Sequence, residues 1–164
     1  MPTFGRTDTG NRNINTGSAY KDASRFQFTG VEGSNLTTIS FYILTACSVK
    51  AALYSDNANS PNLLLASGGP TAGDASTWVD VPVAYAGLVH NAYYWLCAKT
   101  SVASVNVRGD DTINNYVYRS EAYAAAFSSP FGATESDPYE LCIHADYNEP
   151  AAVVGPLITW IRKH

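Results

Sequence analysis

Apolar and polar residues alternate with a period of two along most of this chain, as they do in β-strands that bury one face. Residues 36–44 form the longest run rich in β-branched and aromatic side chains, and residues 48–54 follow with apolar side chains at the odd positions. Residues 55–62 are a dense cluster of turn-forming types, and residues 63–66 are again apolar. This order of strand, strand, turn and short strand predicts an antiparallel sheet.

The second half of the chain repeats this pattern. Residues 77–83 place valines on one face, and Pro82 among them predicts an edge strand or a bulge, because proline cannot donate to a β-ladder. Residues 93–98 are nearly apolar on both faces and are predicted to form the most buried strand. Residues 109–111 are expected to turn, and residues 139–147 show the cleanest alternation in the chain. These segments predict further antiparallel strands.

Two segments depart from the strand pattern. Residues 120–127 combine an N-cap candidate with strong helix formers, and we expect one or two helical turns or a loop there. The tail after Tyr147 carries an apolar run interrupted by Pro156. It is either a last strand of the same domain or an arm that packs on a neighbouring subunit.

The whole pattern predicts an all-β fold with roughly nine to eleven short strands and almost no helix. We expect a two-sheet antiparallel β-sandwich, wired as a jelly roll, with extended N- and C-terminal segments. The chain is interpreted as one domain, residues 1–164. Within it, residues 1–15 are an N-terminal arm, residues 16–147 the sandwich core, and residues 148–164 an apolar tail that is a candidate assembly arm.

Composition narrows the classes of function. The formal net charge of −4 and the isoelectric point near 5.2 argue against nucleic-acid binding. No window approaches the roughly 18 continuous apolar residues of a membrane helix, and the first residues lack the apolar stretch of a signal peptide. We therefore expect synthesis in the cytosol without a signal peptide, and function in a virion or an extracellular assembly. The cysteines lie in strand-like segments and are predicted to be buried, reduced thiols.

The sequence contains no recognisable catalytic or cofactor motif. Nucleophile elbows, phosphate-binding loops, dinucleotide fingerprints and zinc-ligand spacings are all missing, so we predict a protein that is not an enzyme and uses no cofactor. A glycosidase would need a pair of carboxylates. The candidates for such a pair lie in the second half of the chain: Asp110, Asp111, Glu121, Glu135, Asp137 and Glu140. Solvated or turn positions explain these acids better.

Calcium is the one metal for which the sequence offers ligands. Loop carboxylates and amides at Asp110–Asp111 or at Asp56–Asn57 could supply the oxygen atoms that calcium prefers. No calcium-binding loop motif is present, so the metal is left unassigned and would be structural.

Aromatic side chains are the best candidates for ligand binding. Trp78, Tyr116 and Tyr118 could stack on sugar rings, because aromatic faces pack on the apolar faces of such ligands. Trp95 lies within the most apolar segment and is assigned to the core. Packing between sheets is the alternative role for each of these side chains.

A series of short motifs occurs along the chain in a characteristic order. They are Ala52-Leu53-Tyr54-Ser55-Asp56, Ser60-Pro61-Asn62-Leu63-Leu64-Leu65-Ala66, Thr77-Trp78-Val79-Asp80, Tyr94-Trp95-Leu96, Ser129-Pro130-Phe131-Gly132 and Tyr139-Glu140-Leu141. In this order, over about residues 4–147, they resemble jelly-roll-like β-sandwich modules of bacterial, archaeal and phage surface and virion proteins, with Asn62 in place of the usual glycine. The resemblance implies the fold, and either a binding or adhesion module or a subunit of a virion or surface assembly. It implies no catalytic residues.

Two functional hypotheses follow. The first is a non-catalytic structural protein of a virion, such as a capsid decoration or tail protein, that cements copies of itself or other particle subunits. Its predicted interface residues lie in the N-terminal arm and the tail: Phe4, Arg6, Val153, Val154, Leu157, Ile158, Trp160 and Ile161. The second is a carbohydrate-binding or host-adhesion module that uses Trp78, Tyr116 and Tyr118, with or without calcium.

Overall fold

The computed structural model describes residues 1–151, including every side chain in that range except those of residues 112–114. All strand pairings in this part of the chain are antiparallel, which confirms the predicted all-β class. The strands are β1 (Thr3–Gly5), β2 (Arg12–Thr16), β3 (Tyr20–Gln27), β4 (Ser34–Ile43), β5 (Cys47–Asn57), β6 (Ser60–Gly73), β7 (Thr77–Leu88), β8 (Tyr93–Thr100), β9 (Val105–Ser120), β10 (Glu135–Leu141) and β11 (Ile143–Asn148). Within residues 1–151 there is no helix long and apolar enough to cross a membrane.

The strands form one hydrogen-bonded network with two halves. Sheet I has the order β1-β11-β4-β7, and sheet II has the order β6-β5-β8-β3-β9, with β2 and β10 also paired to β9. The network joins the two halves through the pairing of Ile43 with Val107. The expectation of two separate sheets is therefore corrected, because the described strands form a single continuous sheet with two halves.

The order of pairing matches the predicted jelly roll. Three antiparallel pairs are nested along the chain: β3 with β8, β4 with β7, and β5 with β6. The β4–β7 pair belongs to sheet I, and the β3–β8 and β5–β6 pairs belong to sheet II. Successive pairs of one long hairpin therefore alternate between the two sheets, as in a jelly roll.

Apolar side chains from both sheets form the main core. Ile39 and Phe41 of β4 and Leu53 and Leu96 of sheet II are fully buried in it. The prediction for Pro82 is also confirmed, because within residues 1–151 β7 pairs only with β4 and the register of that pair shifts beside this residue.

A second, smaller core lies on the outer face of sheet II. Residues 121–131, named here the strap, cover this face and insert Phe127 and Phe131 against Tyr54 and Trp95. Since β8 has the main core on one face and the strap on the other, seven of its eight residues are buried. The prediction that β8 is the most buried strand is confirmed.

The strap contains no helix, so the first of the two alternatives for residues 120–127 is wrong and the loop is right. The Lys99 ammonium group donates hydrogen bonds of 3.3 Å to the carbonyl oxygens of Ala122, Ala125 and Ala126. A side chain therefore binds all three carbonyl groups, and the Ala122 carbonyl also accepts a 3.0 Å backbone hydrogen bond from Ala125 in a single turn. Glu121 anchors the strap by ion pairs of 2.6 Å to Lys99 and 2.9 Å to Lys21.

Two boundaries in the second half of the chain differ from the predicted ones. The turn at residues 109–111 is wrong, because β9 runs through it without a break. Gly109 serves close packing there, since a Cβ would lie 2.6 Å from the Glu140 carbonyl oxygen. The alternation over residues 139–147 is divided at Cys142, because β10 pairs with β9 whereas β11 pairs with β4 and β1.

The three cysteines are buried and free, as predicted. Desolvation raises the pKa of each thiol, so all three are poor nucleophiles and poor metal ligands at neutral pH.

Candidate functional site

A groove of about 340 Å³ opens between β2, β3, β9 and β10. This volume lies within the range of roughly 300–1,000 Å³ that is usual for small-molecule sites. Alternate residues of each strand line the groove. On β9, Tyr116 and Tyr118 face the groove, whereas Val117 between them packs beneath the strap. On β3, Asp22 faces the groove, and the neighbouring Lys21 points to the strap.

Four tyrosines line this groove, and together they are named here the tyrosine groove: Tyr20, Tyr116, Tyr118 and Tyr139. The rings of Tyr116 and Tyr118 are stacked, with centroids 5.7 Å apart and an interplanar angle of 27°. Tyr20 meets Tyr118 edge to face at 6.0 Å, and Tyr139 is tilted against Tyr116 at 5.9 Å. Tyr20 is 41% exposed and Tyr118 and Tyr139 are partly exposed, whereas Tyr116 is buried. The groove therefore offers ring surface above a firmly packed base.

Arg12 borders the groove and is already neutralised. Its guanidinium group lies 4.1 Å from the centre of the Tyr139 ring and donates a 2.7 Å hydrogen bond to the Tyr139 hydroxyl. It also forms an ion pair with Asp111. Arg12 thus orients the Tyr139 ring by a cation–π contact and brings little net positive charge to the groove.

Asp22 lies beneath the tyrosines and is 3% exposed. Its two carboxylate oxygens accept hydrogen bonds from the Thr16 hydroxyl and, at 2.6 Å, from the Tyr116 hydroxyl. Desolvation by burial raises the pKa of Asp22 to about 6, and these two hydrogen bonds offset only part of that rise. Asp22 therefore holds Tyr116 in place and is itself sensitive to mildly acidic pH.

We expect Asp22 to give the folded protein a distinctive pH dependence. Its pKa is higher in the folded state, at about 6, than its ordinary value of 3.8, so the stability that it contributes is full below pH 3.8 and is lost as the pH rises through 6. Relative to the Asp22→Asn variant, the wild type should lose about 2.5 kcal/mol of unfolding free energy between pH 4 and pH 7. Urea unfolding of both proteins across this range measures the difference. A constant difference at all pH values would contradict the assignment.

The structure separates the three predicted ligand residues. Tyr116 and Tyr118 lie together in the groove, but Trp78 lies on the outer face of sheet I. There its ring packs edge to face against Tyr42 at 5.3 Å and His144 at 4.7 Å. Trp78 is therefore not part of the tyrosine groove.

Most residues of the groove lining were missing from the predicted ligand set, among them Tyr20, Arg12 and Asp22. Tyr20, Arg12 and Asp22 enter it from β2 and β3, which lie about one hundred residues away from β9 in sequence, so only strand pairing brings them together. Tyr139 was predicted on the apolar face of its strand, which is consistent with its place beside Tyr116.

The predicted interface residues of the N-terminal arm lie within the domain itself. Phe4 is 6% exposed and packs edge to face on Phe28 at 5.4 Å, because β1 pairs with β11. Arg6 is mostly buried and forms ion pairs with Asp8, Asp110 and Glu140. Phe4 and Arg6 therefore contact other parts of the same chain, and their predicted role in an interface stays a prediction. The tail residues Val153, Val154, Leu157, Ile158, Trp160 and Ile161 lie outside the described residues.

The candidate calcium ligands are neutralised by arginine side chains. Asp110 pairs with Arg6 and Asp111 with Arg12, while Asp56 accepts hydrogen bonds of 2.8 Å from both Arg25 and Trp95. Among the residues that the structure describes, no cluster of three or more metal-ligating side chains is found. The carboxylates that the sequence offered for calcium are therefore engaged in ion pairs.

No family model matches the chain, and no curated protein sequence matches it. Among solved structures, the chain is similar to the crystal structure of the cysteine protease and lectin-like domains of Cwp84, a surface layer associated protein of Clostridium difficile. The TM-score is 0.55 at 12% sequence identity, and the match covers 80% of this chain and 32% of the Cwp84 chain. This chain thus spans about a third of that structure. At this identity the similarity shows a common fold.

Proposed function

We propose that the protein is a non-catalytic carbohydrate-binding module whose ligand site is the tyrosine groove. The arrangement of four tyrosines around a groove of about 340 Å³ carries this proposal. Sugar rings combine apolar C–H faces with hydroxyl groups, and they bind where aromatic rings lie beside hydrogen-bonding groups. Tyr20, Tyr118 and Tyr139 supply accessible ring surface, and Asp137 and Asn13 on the rim supply polar groups.

The fold comparison supports this proposal without identifying a ligand. One of the two domains named for Cwp84 is lectin-like, and that protein is associated with a surface layer. The motifs that resemble surface and virion modules fit the same setting. A module of this kind would attach its protein to glycans at a cell or particle surface.

The groove favours binding over hydrolysis. A glycosidase needs one carboxyl group to donate a proton and a second to act as base or nucleophile on the substrate. Asp22 is 3% exposed, and both of its oxygens are occupied by Thr16 and Tyr116, so it presents no oxygen to a ligand. Asp137 is then the only carboxylate of the described groove lining that is available to a sugar.

The particle-assembly hypothesis stays a prediction. The tail residues on which it depends lie outside the described part of the chain, and Phe4 and Arg6 pack within the domain. A capsid decoration or tail protein that also binds host glycans would combine both hypotheses.

Replacing Tyr118 with alanine tests the proposed function. The partly exposed ring of Tyr118 stacks on Tyr116 and meets Tyr20, so its loss should remove the centre of the platform and weaken glycan binding about tenfold or more. The measurement is a glycan-array screen of the wild type and of Tyr118→Ala, followed by calorimetry on the best ligand. Trp78→Ala is the matched control, because it removes an aromatic ring on the other sheet.

The expected result is binding that is weakened about tenfold or more in Tyr118→Ala and kept in Trp78→Ala, with both variants folded by circular dichroism. Binding that survives in Tyr118→Ala but disappears in Trp78→Ala would place the site on sheet I and refute the groove. A wild type that binds no glycan would refute the function.

A further inference from the structure

The charges around the tyrosine groove define the class of sugar that it would select. The ion pair of Arg12 with Asp111 neutralises the cationic side chain that lines the groove. Two carboxylates remain at the groove. Asp137 is part of its lining, and Glu135 lies beside it and accepts a 2.9 Å hydrogen bond from the Tyr118 hydroxyl. Asp22 adds a further carboxyl group below the ring of Tyr116. The groove is therefore acidic, and an acidic sugar such as a uronic acid would be repelled.

Asp137 is the carboxylate best placed to meet a ligand. It lies directly opposite Tyr116 in the pairing of β10 with β9, so its side chain shares a face with the tyrosines. Tyr139 lies two residues further along β10, so strand alternation places its side chain on the same face, and both residues line the groove. Among the described side chains, no hydrogen bond or ion pair engages the Asp137 carboxylate.

The tyrosine rings add a second preference for positive charge. The face of an aromatic ring carries negative electrostatic potential and attracts ammonium groups. The molecule already shows this contact, since the guanidinium group of Arg12 lies on the Tyr139 ring. The Tyr118 ring and the Asp137 carboxylate offer the same combination to a cation that a ligand would bring.

We propose that the tyrosine groove selects sugars that carry a free amino group, with the ammonium group held between Asp137 and the tyrosine rings. This inference rests on the proposed function and names the substrate class of the same site. An N-acetylated sugar of the same size would keep the stacking and lose the ion pair. A sugar that carries a carboxylate in place of the amino group would be repelled by the Asp137 carboxylate.

The test compares three oligosaccharides of equal length by calorimetry on the full chain: a glucosamine oligomer, its N-acetylated counterpart and a galacturonic acid oligomer. The glucosamine oligomer should bind about tenfold more tightly than the N-acetylated one, as expected for a charge-assisted hydrogen bond. Added salt should reduce this advantage, because the groove is partly open to solvent. The galacturonic acid oligomer should bind most weakly.

Asp137→Asn is the decisive variant, because it keeps the size of the side chain and removes its charge. It should weaken binding of the glucosamine oligomer about tenfold while leaving binding of the N-acetylated oligomer within about twofold. Asp74→Asn, in an exposed loop between β6 and β7, is the control for overall charge and should change neither value.

The possible outcomes distinguish a failure of the amino-sugar selectivity from a failure of the proposed carbohydrate-binding function. Equal or tighter binding of the N-acetylated or acidic oligomer, lost in Tyr118→Ala, would overturn the amino selectivity and leave the carbohydrate site standing. An unchanged affinity of Asp137→Asn for the glucosamine oligomer would also overturn the selectivity. Failure of all three oligomers to bind would overturn the selectivity, and a further failure across the glycan array would overturn the function as well.

Discussion

Replacing Glu121 with alanine should destabilise the protein by about 3–5 kcal/mol, since it leaves two buried ammonium groups without their shared partner. Lys21 and Lys99 are both fully buried, and Glu121 lies 2.9 Å and 2.6 Å from them. The loss should also release the strap from the outer face of sheet II. Urea unfolding measures the change, and Glu149→Ala, at an exposed site, is the control.

The effect of Glu121 should also depend on pH. Burial opposes its ionised form, but hydrogen bonds from Lys99, Ser128 and Lys21 outweigh burial and lower the pKa of Glu121 to about 2. A lowered carboxyl pKa gives stability that is present above the ordinary value of 4.5 and is lost as the pH falls through 2. The difference between the wild type and Glu121→Ala should therefore shrink below pH 4.5. A difference of less than 1 kcal/mol at pH 7 would show that the strap is not anchored by this cluster.

Replacing Phe4 with alanine should destabilise the domain by about 3 kcal/mol without changing the mass of the protein in solution. The ring of Phe4 is 6% exposed and contacts Phe28, Tyr94 and Tyr147, so its removal leaves a cavity at the edge of the main core. Urea unfolding and light scattering together make the measurement. Val31→Ala, at a side chain that is 47% exposed, is the matched control.

This variant separates the two roles considered for the N-terminal segment. If Phe4 belonged to an assembly arm, Phe4→Ala would lower the mass of an oligomer and leave the unfolding free energy of the domain unchanged. That result would contradict the packing of β1 described above.

The strands were predictable because their signals are local. Period-two alternation marks β4, β5 and β7, the doubly apolar composition of residues 93–98 marks a strand covered on both faces, and Pro82 marks an edge. Each of these signals concerns one segment and the surface that it buries. The nested pairing then follows from antiparallel neighbours that roll into a jelly roll.

The sequence left a helix and a loop open for residues 120–127, because the contacts that decide between them come from residues distant in sequence. Residues 120–127 have the composition of a helix, and the carbonyl groups of Ala122, Ala125 and Ala126 would be satisfied in one. Lys99, more than twenty residues earlier, supplies the same hydrogen bonds from a neighbouring strand. Tertiary contacts of this kind override local helix propensity.

The candidate site was only partly predictable, because local signals identify single strands and distant pairing assembles the site. Tyr116 and Tyr118 could be named from their alternation on one strand, but Asp22, which fixes Tyr116, is 94 residues away along the chain. Trp78 shows the same aromatic signal and lies on the other sheet. Aromatic composition thus indicates candidates, and strand pairing decides which of them share a surface.

The central claim, that the tyrosine groove binds carbohydrate, is tested most directly by mapping the bound glycan on the protein surface. Backbone amide shifts of the isotope-labelled chain would be followed during titration with the best glycan from the array. If the glycan binds in the tyrosine groove, the largest changes in amide chemical shift should fall on Thr16, Tyr20, Tyr118 and Asp137. Changes concentrated around Tyr42, Trp78 and His144, or none at saturating glycan, would contradict it.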